Sequence, residues 1–563
     1  INMHMASPTR ASTSTSRLWL VLIVVVAVHV TWLTTCSHAS PLRDVASPSP
    51  SISVDPLRVN APDVPYALKP LRWGTVNPNG WILDWANAAK DGAVSPTKAA
   101  FATLTVEGQP VDGWLHGRPD VGGFWDEDSA YWIDGMTRLG FVLQDNVLIN
   151  RAKADIESVM AHPYRFHNTY PTDVVEGWVR SIYSRGLLAY FDATNDTRVI
   201  EFLTTAYKNY TAYNSTMNTD QSHQGSRSMT QMEVLLESHA YGAPVSMMHT
   251  AINLMGPEAR NGGYDFLQNL LSGCLDNETA ILNGACEQHA HGVTFNEVAK
   301  LFAMAYVWTN NASHLAASHG AYEMIENYDV QPHGVNSADE DMNGISPNVA
   351  TETCDVSDFI YSSSWMYRVT GDSHFGDRLE KAFHNAAPGA VNRSFSGHVY
   401  FQSPNYAQMQ DVDPNVASDK WQEMYWHAPP CCTGNQARML PNYIHHMWFG
   451  TANGGLAATM YGPNKVTAEV GATSTTTSTS TSRNVVTITS STDYPFDNVV
   501  SFTISIVNAH TTDFEFLFRV PEWTNAAEMS FKINGENVVA IKDQTLSGFV
   551  KIVGRTWNDG DVV

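Results

Sequence analysis

Three short segments hold residues whose types and spacing suit chemistry. Glu352-Thr353-Cys354 puts a carboxylate and a thiol two residues apart, on one face if the segment is extended, where both can ligate one ion. Cys431-Cys432 follows Pro429-Pro430 and precedes a helix expected to begin near Asn435 and to carry Arg438, Tyr443, His445 and His446. A helix N-terminus and a metal each lower a thiol pKa, so a thiolate can persist there. The rival reading of the pair is a strained vicinal disulfide or two buried thiols, since secreted thiols are usually paired. Ser337-Ala338-Asp339-Glu340-Asp341 is a run of carboxylates just ahead of Glu352. It reads either as a solvated loop or as the source of a protonatable acid, because neighbouring like charges raise one carboxyl pKa.

The cysteine count sharpens the first two segments. Of six cysteines, Cys36 lies in an N-terminal targeting segment, which leaves Cys274, Cys286, Cys354, Cys431 and Cys432. An odd number in an oxidising compartment leaves at least one thiol outside a disulfide. If Cys274 and Cys286 pair, three thiolates remain, and three thiolates with one further ligand make a tetrahedral zinc site.

The targeting segment spans residues 1–39. Arg10 and Arg17 precede an apolar run from Leu18 to Leu33, and Ser37-His38-Ala39 supplies the small residues of a cleavage site. The expectation is a secreted protein cleaved after Ala39, with an uncleaved signal anchor as the alternative and the one route to a membrane. Sequons at Asn195, Asn209, Asn214, Asn277, Asn311 and Asn392 agree with lumenal exposure and a glycoprotein. The net charge of −23 argues against nucleic acid or an anionic membrane as partner, because a phosphate backbone needs a basic face. With 11% aromatic residues and 16 tryptophans the chain suits surfaces on which neutral sugars stack.

Elements must position these residues, and at 563 residues two or more domains are expected. A linker at 40–55 leads into a helical region at 56–450. Trp178, Ile182, Tyr183, Leu187, Tyr190 and Phe191 fall at helix-face spacing, as do Val298, Leu301, Phe302, Ala305 and Tyr306. A weak repeat, an aromatic residue followed by Thr and a polar turn, recurs at Phe191 to Asp196, Tyr306 to Asn311 and Tyr367 to Asp372. Repeated helical hairpins close into a toroid or stack as a solenoid, and periodicity alone does not choose. From 451 to 563 the pattern becomes that of a β-sandwich domain. Val500, Phe502, Ile504 and Ile506 alternate with polar residues, as do Phe514, Phe516, Phe518 and Val520, and Asn534-Gly535 signals a hairpin. The Thr/Ser stretch at 473–482 reads as a surface loop, and Val563 comes early for a complete second domain.

The pattern Glu352-x-Cys354 followed by Cys431-Cys432-x-x-Asn435-x-x-Arg438 resembles the β-L-arabinofuranosidase family of glycoside hydrolases, family 127. The resemblance spans about Gly113 to Val563 and implies a mainly α fold, an (α/α)6 barrel or six-hairpin toroid followed by β-sandwich structure. It implies zinc held by Glu352, Cys354, Cys431 and Cys432, with Cys431 as nucleophile and Glu340 as acid/base. Phe124-Trp125-Asp126-Glu127-Asp128 with Trp132 looks like the family's early barrel motif, and Ala290-His291-Gly292-Val293 like its substrate-contacting histidine segment. Trp125, Asp126 and His291 are therefore expected to meet substrate, an oligosaccharide, polysaccharide or glycoprotein glycan; the other reading of His291 is a satisfied core histidine. Thr433-Gly434 stands where the family usually has Pro-Pro, and the interval from Glu340 to Glu352 looks shorter than the family's.

Two other classes compete with a retaining glycosidase. A non-catalytic, zinc-stabilised carbohydrate-binding protein would keep the thiols and the aromatic surface without using Glu340. A polysaccharide lyase on a helical toroid would use Tyr or His bases and need no thiolates. No P-loop, G-x-S-x-G or H-E-x-x-H pattern supports a nucleotide-binding, serine-hydrolase or zincin reading.

Overall fold

The computed structural model describes residues 58–95, 105–106, 109–110, 126–161, 174–208, 227–255, 291–347, 349–405, 410–411, 423–425, 430–471, 484–507, 509–525 and 527–563. The targeting segment, the 40–55 linker, Trp125, Cys274, Cys286, the sequons at Asn209, Asn214 and Asn277, and the 473–482 stretch lie outside them, as does the side chain of Asp126.

The helical part begins with α1 (Gly80–Asp91), α2 (Asp126–Leu143), α3 (Asn146–Ala161), α4 (Val174–Thr194) and α5 (Arg198–Ala206). It continues with α6 (Gln231–Ala240), α7 (Val245–Asn253), α8 (Gly292–Val298), α9 (Leu301–Thr309), α10 (Ala312–Tyr328), α11 (Thr353–Thr370), α12 (Ser373–Lys381), α13 (Pro430–Asn435) and α14 (Met439–His445). The packing closes on itself. Helix α2 packs on α4, α4 on α6, α6 on α9, both α8 and α9 on α11, α11 on α14, and α14 again on α2. Helices α3, α5, α7, α10 and α12 each pack back on the ring member that precedes them. The predicted stripe of α4 is buried throughout, and α11 is buried on every side from Thr353 to Val369, as an inner element must be. The second predicted stripe is shared between α8 and α9. The chain breaks at Ala299–Lys300, where Lys300 Nζ turns inward and donates to the carbonyl oxygen of Glu297 at 2.6 Å.

The repeated turns have one construction. After Thr194, Thr309 and Thr370 the next residue enters the left-handed region, with φ of 60° at Asn195, 50° at Asn310 and 67° at Gly371. Each threonine Oγ1 donates to the carbonyl four residues back and accepts from the backbone N–H two residues on. Asp196, Asn311 and Asp372 then cap the next helix by accepting from the N–H of Arg198, Ser313 and His374. Short polar side chains satisfy the open helix ends, which is why the motif was visible in sequence.

Among the described residues the β-rich part is built on two packed sheets, with two two-stranded ribbons beside them, Thr511–Asp513 with Thr556–Asn558 and Phe531–Ile533 with Glu536–Val538. One is antiparallel, ordered β1 (Val76–Pro78), β6 (Asn464–Val470), β7 (Asn484–Ser491), β8 (Ser501–Val507). The other runs β10 (Ala540–Lys542), β11 (Phe549–Ile552), β9 (Phe516–Arg519), β5 (Leu456–Ala458), β4 (Trp448–Gly450), with β5 and β9 parallel. Phe502 of the first sheet meets Trp448, Phe516 and Phe518 of the second at ring-centroid distances of 5.8, 5.5 and 5.7 Å. Strand β8 keeps the predicted alternation, whereas β9 is buried on both faces because it is central. Asn534 and Gly535 form the predicted turn, with φ of 52° and 89°. The early segment is stitched to this part through β1 on β6 and through the Lys69–Gly450 bridge.

Candidate active site

Glu352 ends the two-residue strand β2 (Thr351–Glu352), which pairs antiparallel with β3 (Phe401–Gln402), and it is the N-cap residue of α11. Its backbone is extended, but Cys354 already lies in the first helical turn, so the two are not on one face of a strand as the sequence suggested. They meet because a capping residue points over the first turn of its helix, and Glu352 spends its side chain on the thiols rather than on the cap. Cys431 and Cys432 also lie inside a helix rather than ahead of one, since α13 begins at Pro430.

Four donors converge. Cys432 Sγ is 3.3 Å from Cys354 Sγ and 3.3 Å from Glu352 Oε1. Cys431 Sγ is 3.9 Å from Cys432 Sγ and 3.7 Å from Glu352 Oε1. The three cysteines are free, so the vicinal-disulfide reading of the pair is not what the structure holds. All four ligand atoms lie within 4.8 Å of one another. A tetrahedral ion with sulfur bonds of about 2.3 Å needs S–S edges of about 3.8 Å and slightly shorter S–O edges; the Cys431–Cys432 edge and the two S–O edges are close to this, and the Cys354–Cys432 edge is shorter. Glu352 Oε2 is buried without a hydrogen-bond partner, and among the described residues no Arg or Lys pairs with any of the four. The residues present fit a metal ion.

Their electrostatics agree. The Cys431 thiol is held well below its usual value by hydrogen bonds from Cys354 and Cys432, against the effect of burial. Burial pushes Cys354, Cys432 and Glu352 well above theirs. A cation held among the four donors would favour their ionised forms against the effect of burial. Cys354 and Cys432 are 1% and 0% exposed, and Cys431 is the one thiol of the three with partial exposure.

Glu340 stands at the edge of this cluster. Its carboxylate, His291 and Glu352 offer atoms within 4.8 Å of one another, and its side chain is 40% exposed. It occupies the left-handed region, with φ of 68°, an unfavourable place for a residue with a Cβ. The loop is held there by Gly292, whose N–H donates to the Glu340 carbonyl at 3.0 Å. A Cβ on Gly292 would come within 2.6 Å of Ala338 Cβ and Asp355 Oδ2, so only glycine lets α8 begin this close. His291 caps α8, its Nδ1 accepting from Thr294 N at 3.2 Å, which leaves the proton on Nε2, 3.3 Å from Glu340 Oε2. Burial lowers the His291 pKa to about 4, so the ring is neutral. The Tyr400 hydroxyl donates to Glu340 Oε1.

Other singled-out residues go elsewhere. Trp132 is buried in the core with Arg151 over its ring at 5.5 Å. Arg438 binds Asp134 and Asp358 at 3.0 Å each, and Asn435 donates to Asp358 at 3.0 Å, so the N-x-x-R motif anchors the cysteine helix to α2 and α11. His445 stacks on Trp73 at 3.9 Å, with His446 edge-on at 6.4 Å, away from the thiols. Tyr400 was missed: it sits in an apolar run beside Phe401, where nothing marks its hydroxyl as different from a core tyrosine.

Comparison with known proteins agrees with this geometry. Residues 94–445 match the model of the β-L-arabinofuranosidase GH127 catalytic domain, and residues 455–563 match the GH127 middle domain. No curated protein sequence matches the chain. Among solved structures, a GH127 β-L-arabinofuranosidase from Geobacillus stearothermophilus T6 shares 17% identity at a TM-score of 0.60, over 86% of this chain and 80% of that one. A GH127 β-arabinofuranosidase shares 14% at 0.59, over 88% and 80%, and a glycoside hydrolase 15% at 0.59, over 89% and 79%. At these identities the structures speak for the fold, a helical region followed by a sheet-rich domain, while the family models cover most of the sequence. The chain belongs to the GH127 β-L-arabinofuranosidase family and is a glycoside hydrolase.

Proposed function

We propose that the protein is a retaining, β-L-arabinofuranosidase-like hydrolase of an oligosaccharide, polysaccharide or glycoprotein glycan, on an (α/α)6 barrel, with zinc at Glu352, Cys354, Cys431 and Cys432. The observation that carries the reading is the pairing of the one partly exposed thiol, Cys431, with the partly exposed carboxyl of Glu340 at a four-donor site. Thiolate-rich donor sets of this kind select zinc among common divalent ions.

Bound there, zinc supplies a positive charge that keeps the cysteine sulfurs deprotonated near neutral pH. Cys431 Sγ attacks the anomeric carbon as the C–O bond to the leaving group breaks, and Glu340 gives its proton to the departing oxygen. Water then attacks the same carbon, the C–S bond breaks, and Glu340 takes the proton from water. His291 and Tyr400, donating to separate oxygens of Glu340, fix the orientation of the carboxyl, and His291 reaches sugar hydroxyls from the same position. Trp125 and Asp126 are proposed to line the substrate side. The N-terminal segment is proposed to direct export.

Zinc stoichiometry on the purified chain, with and without Glu352→Ala, is the direct test. About one zinc per chain, lost in the variant, is expected. No zinc in the wild-type chain, with Cys431 and Cys432 oxidised to each other, would overturn the nucleophile and leave a carbohydrate-binding reading.

A further inference from the structure

Away from the thiols, the helical ring encloses a second set of charges. A cavity of about 70 Å3 is lined by Arg58, Arg138, Arg185 and Arg368 and by three carboxylates, Asp192, Glu233 and Glu237. Its walls therefore carry one formal positive charge in excess. His445 and His446 also line it, but burial lowers both, His446 to about 3, and they add no charge at neutral pH.

The guanidinium faces are taken. Arg58 lies over Tyr66 and Tyr241 at 5.0 and 5.5 Å, Arg185 over Tyr361 at 4.9 Å, and Arg368 over Tyr66 and Trp365 at 4.0 Å each. Only the in-plane N–H edges remain. Some are used: Arg58 Nη2 meets Glu237 at 2.7 Å, Arg185 Nη2 meets Glu233 at 3.0 Å, and Arg368 Nη2 meets Glu237 at 3.5 Å. Others are not. Arg58 Nε and Nη1, Arg185 Nε and Arg368 Nε are buried with no hydrogen-bond partner, while Arg185 Nη1 faces Asp358 at 4.0 Å. Several unpaired charged donors around one space large enough for more than a water molecule call for an acceptor.

We propose that this cavity binds a small monovalent inorganic anion of the halide class, held by the edges of Arg58, Arg185 and Arg368. One negative charge matches the formal excess, whereas a divalent oxyanion would overshoot it. A spherical acceptor takes donors from several directions at once, as three guanidiniums on separate elements require. The anion ties together α4, α6 and α11, which carry Arg185, Glu233 with Glu237, and Arg368, so its effect is on the ring and not on the reacting groups.

Crystals of the whole chain soaked in bromide and measured by anomalous diffraction test the site. A peak in the cavity in contact with the arginine edges is expected; a cavity holding only water overturns the proposal. In solution, replacing gluconate by chloride at constant ionic strength should raise the apparent Tm by about 2–4 °C. Arg58→Gln, which leaves Glu237 paired with Arg368, should fold and weaken chloride affinity at least tenfold. An unchanged Tm in wild type, or an equal chloride response in the variant, would place any halide effect elsewhere and defeat the assignment.

Discussion

Asp134 and Asp358 are buried beside Arg438, and Glu233 beside Arg185 and Lys300; Glu352, Cys354 and Cys432 are buried too, but among the described residues no Arg or Lys forms an ion pair with Glu352, and the Arg227 charge only helps to lower the Cys431 thiol. Both groups sit on inner helices of one ring, yet the first is neutralised by side chains the chain itself supplies and the second is not. The energetics explain the division of labour. A buried carboxylate beside a guanidinium keeps its charge through direct pairing, and Glu233 and Asp358 are both held below their usual values despite burial. In the thiol cluster the same burial raises Glu352, Cys354 and Cys432. A protein that needed only stability would have put an arginine there. A place left to a metal, as proposed above, would keep a polarised sulfur at the partly exposed Cys431.

The largest effect that tests this contrast is at Cys431. Cys431→Ser should lower kcat by about 10⁴-fold or more while zinc remains bound, because the serine oxygen replaces a ligand but not the nucleophile. Wild-type turnover with zinc present would end the thiolate mechanism. Glu340→Gln should lower kcat about 10²- to 10⁴-fold on glycosides with poor leaving groups, and much less on activated aryl glycosides that depart without a proton. Equal losses on both substrates would remove Glu340 as the acid.

The arginine side predicts the reverse pattern. Arg438→Met leaves Asp134 and Asp358 without their shared partner and should cost about 3–5 kcal/mol in denaturant unfolding, with zinc per folded chain unchanged. Loss of zinc at unchanged stability would show that the two regions are not separable as described. The smallest expected effect is at His446. Burial holds its pKa at about 3 in the fold, below the unfolded value of about 6.5. The unfolded chain therefore binds the extra proton first, and this contribution to stability is present above pH 6.5 and lost as pH falls towards 3. Asp329, pushed to about 7 by burial, works in the opposite sense. His446→Gln should thus reduce the loss of stability between pH 7 and 4 by about 1–3 kcal/mol; an unchanged pH profile would mean that the ring is already charged in the fold.

The elements were legible wherever one local rule governed them. The α4 stripe, the alternation of β8, the Asn534-Gly535 turn and the three Thr-centred turns all follow from side-chain periodicity or from capping within a few residues. Strand β9 and the α8–α9 break were misread because their reasons are tertiary: a strand covered on both faces loses its alternation, and Lys300 leaves the helical pattern to reach Glu233. The start of α13 was misplaced because a helix containing two cysteines and a glycine has no apolar period to reveal it.

At the site, the sequence by itself singled out the Glu352-Thr353-Cys354 segment, the Cys431-Cys432 pair and the acidic loop by residue type and spacing, and the family resemblance joined the first two into one four-donor set. Tertiary structure decided which of them face solvent, that Glu340 rather than Asp339 or Asp341 turns to His291 and Tyr400, and that Arg438 anchors while His445 and His446 pack on Trp73. The physical reason is range. Residue type and short spacing fix what a side chain can ligate or donate, but burial, and with it pKa and access, depends on elements brought together from 50 to 300 residues away.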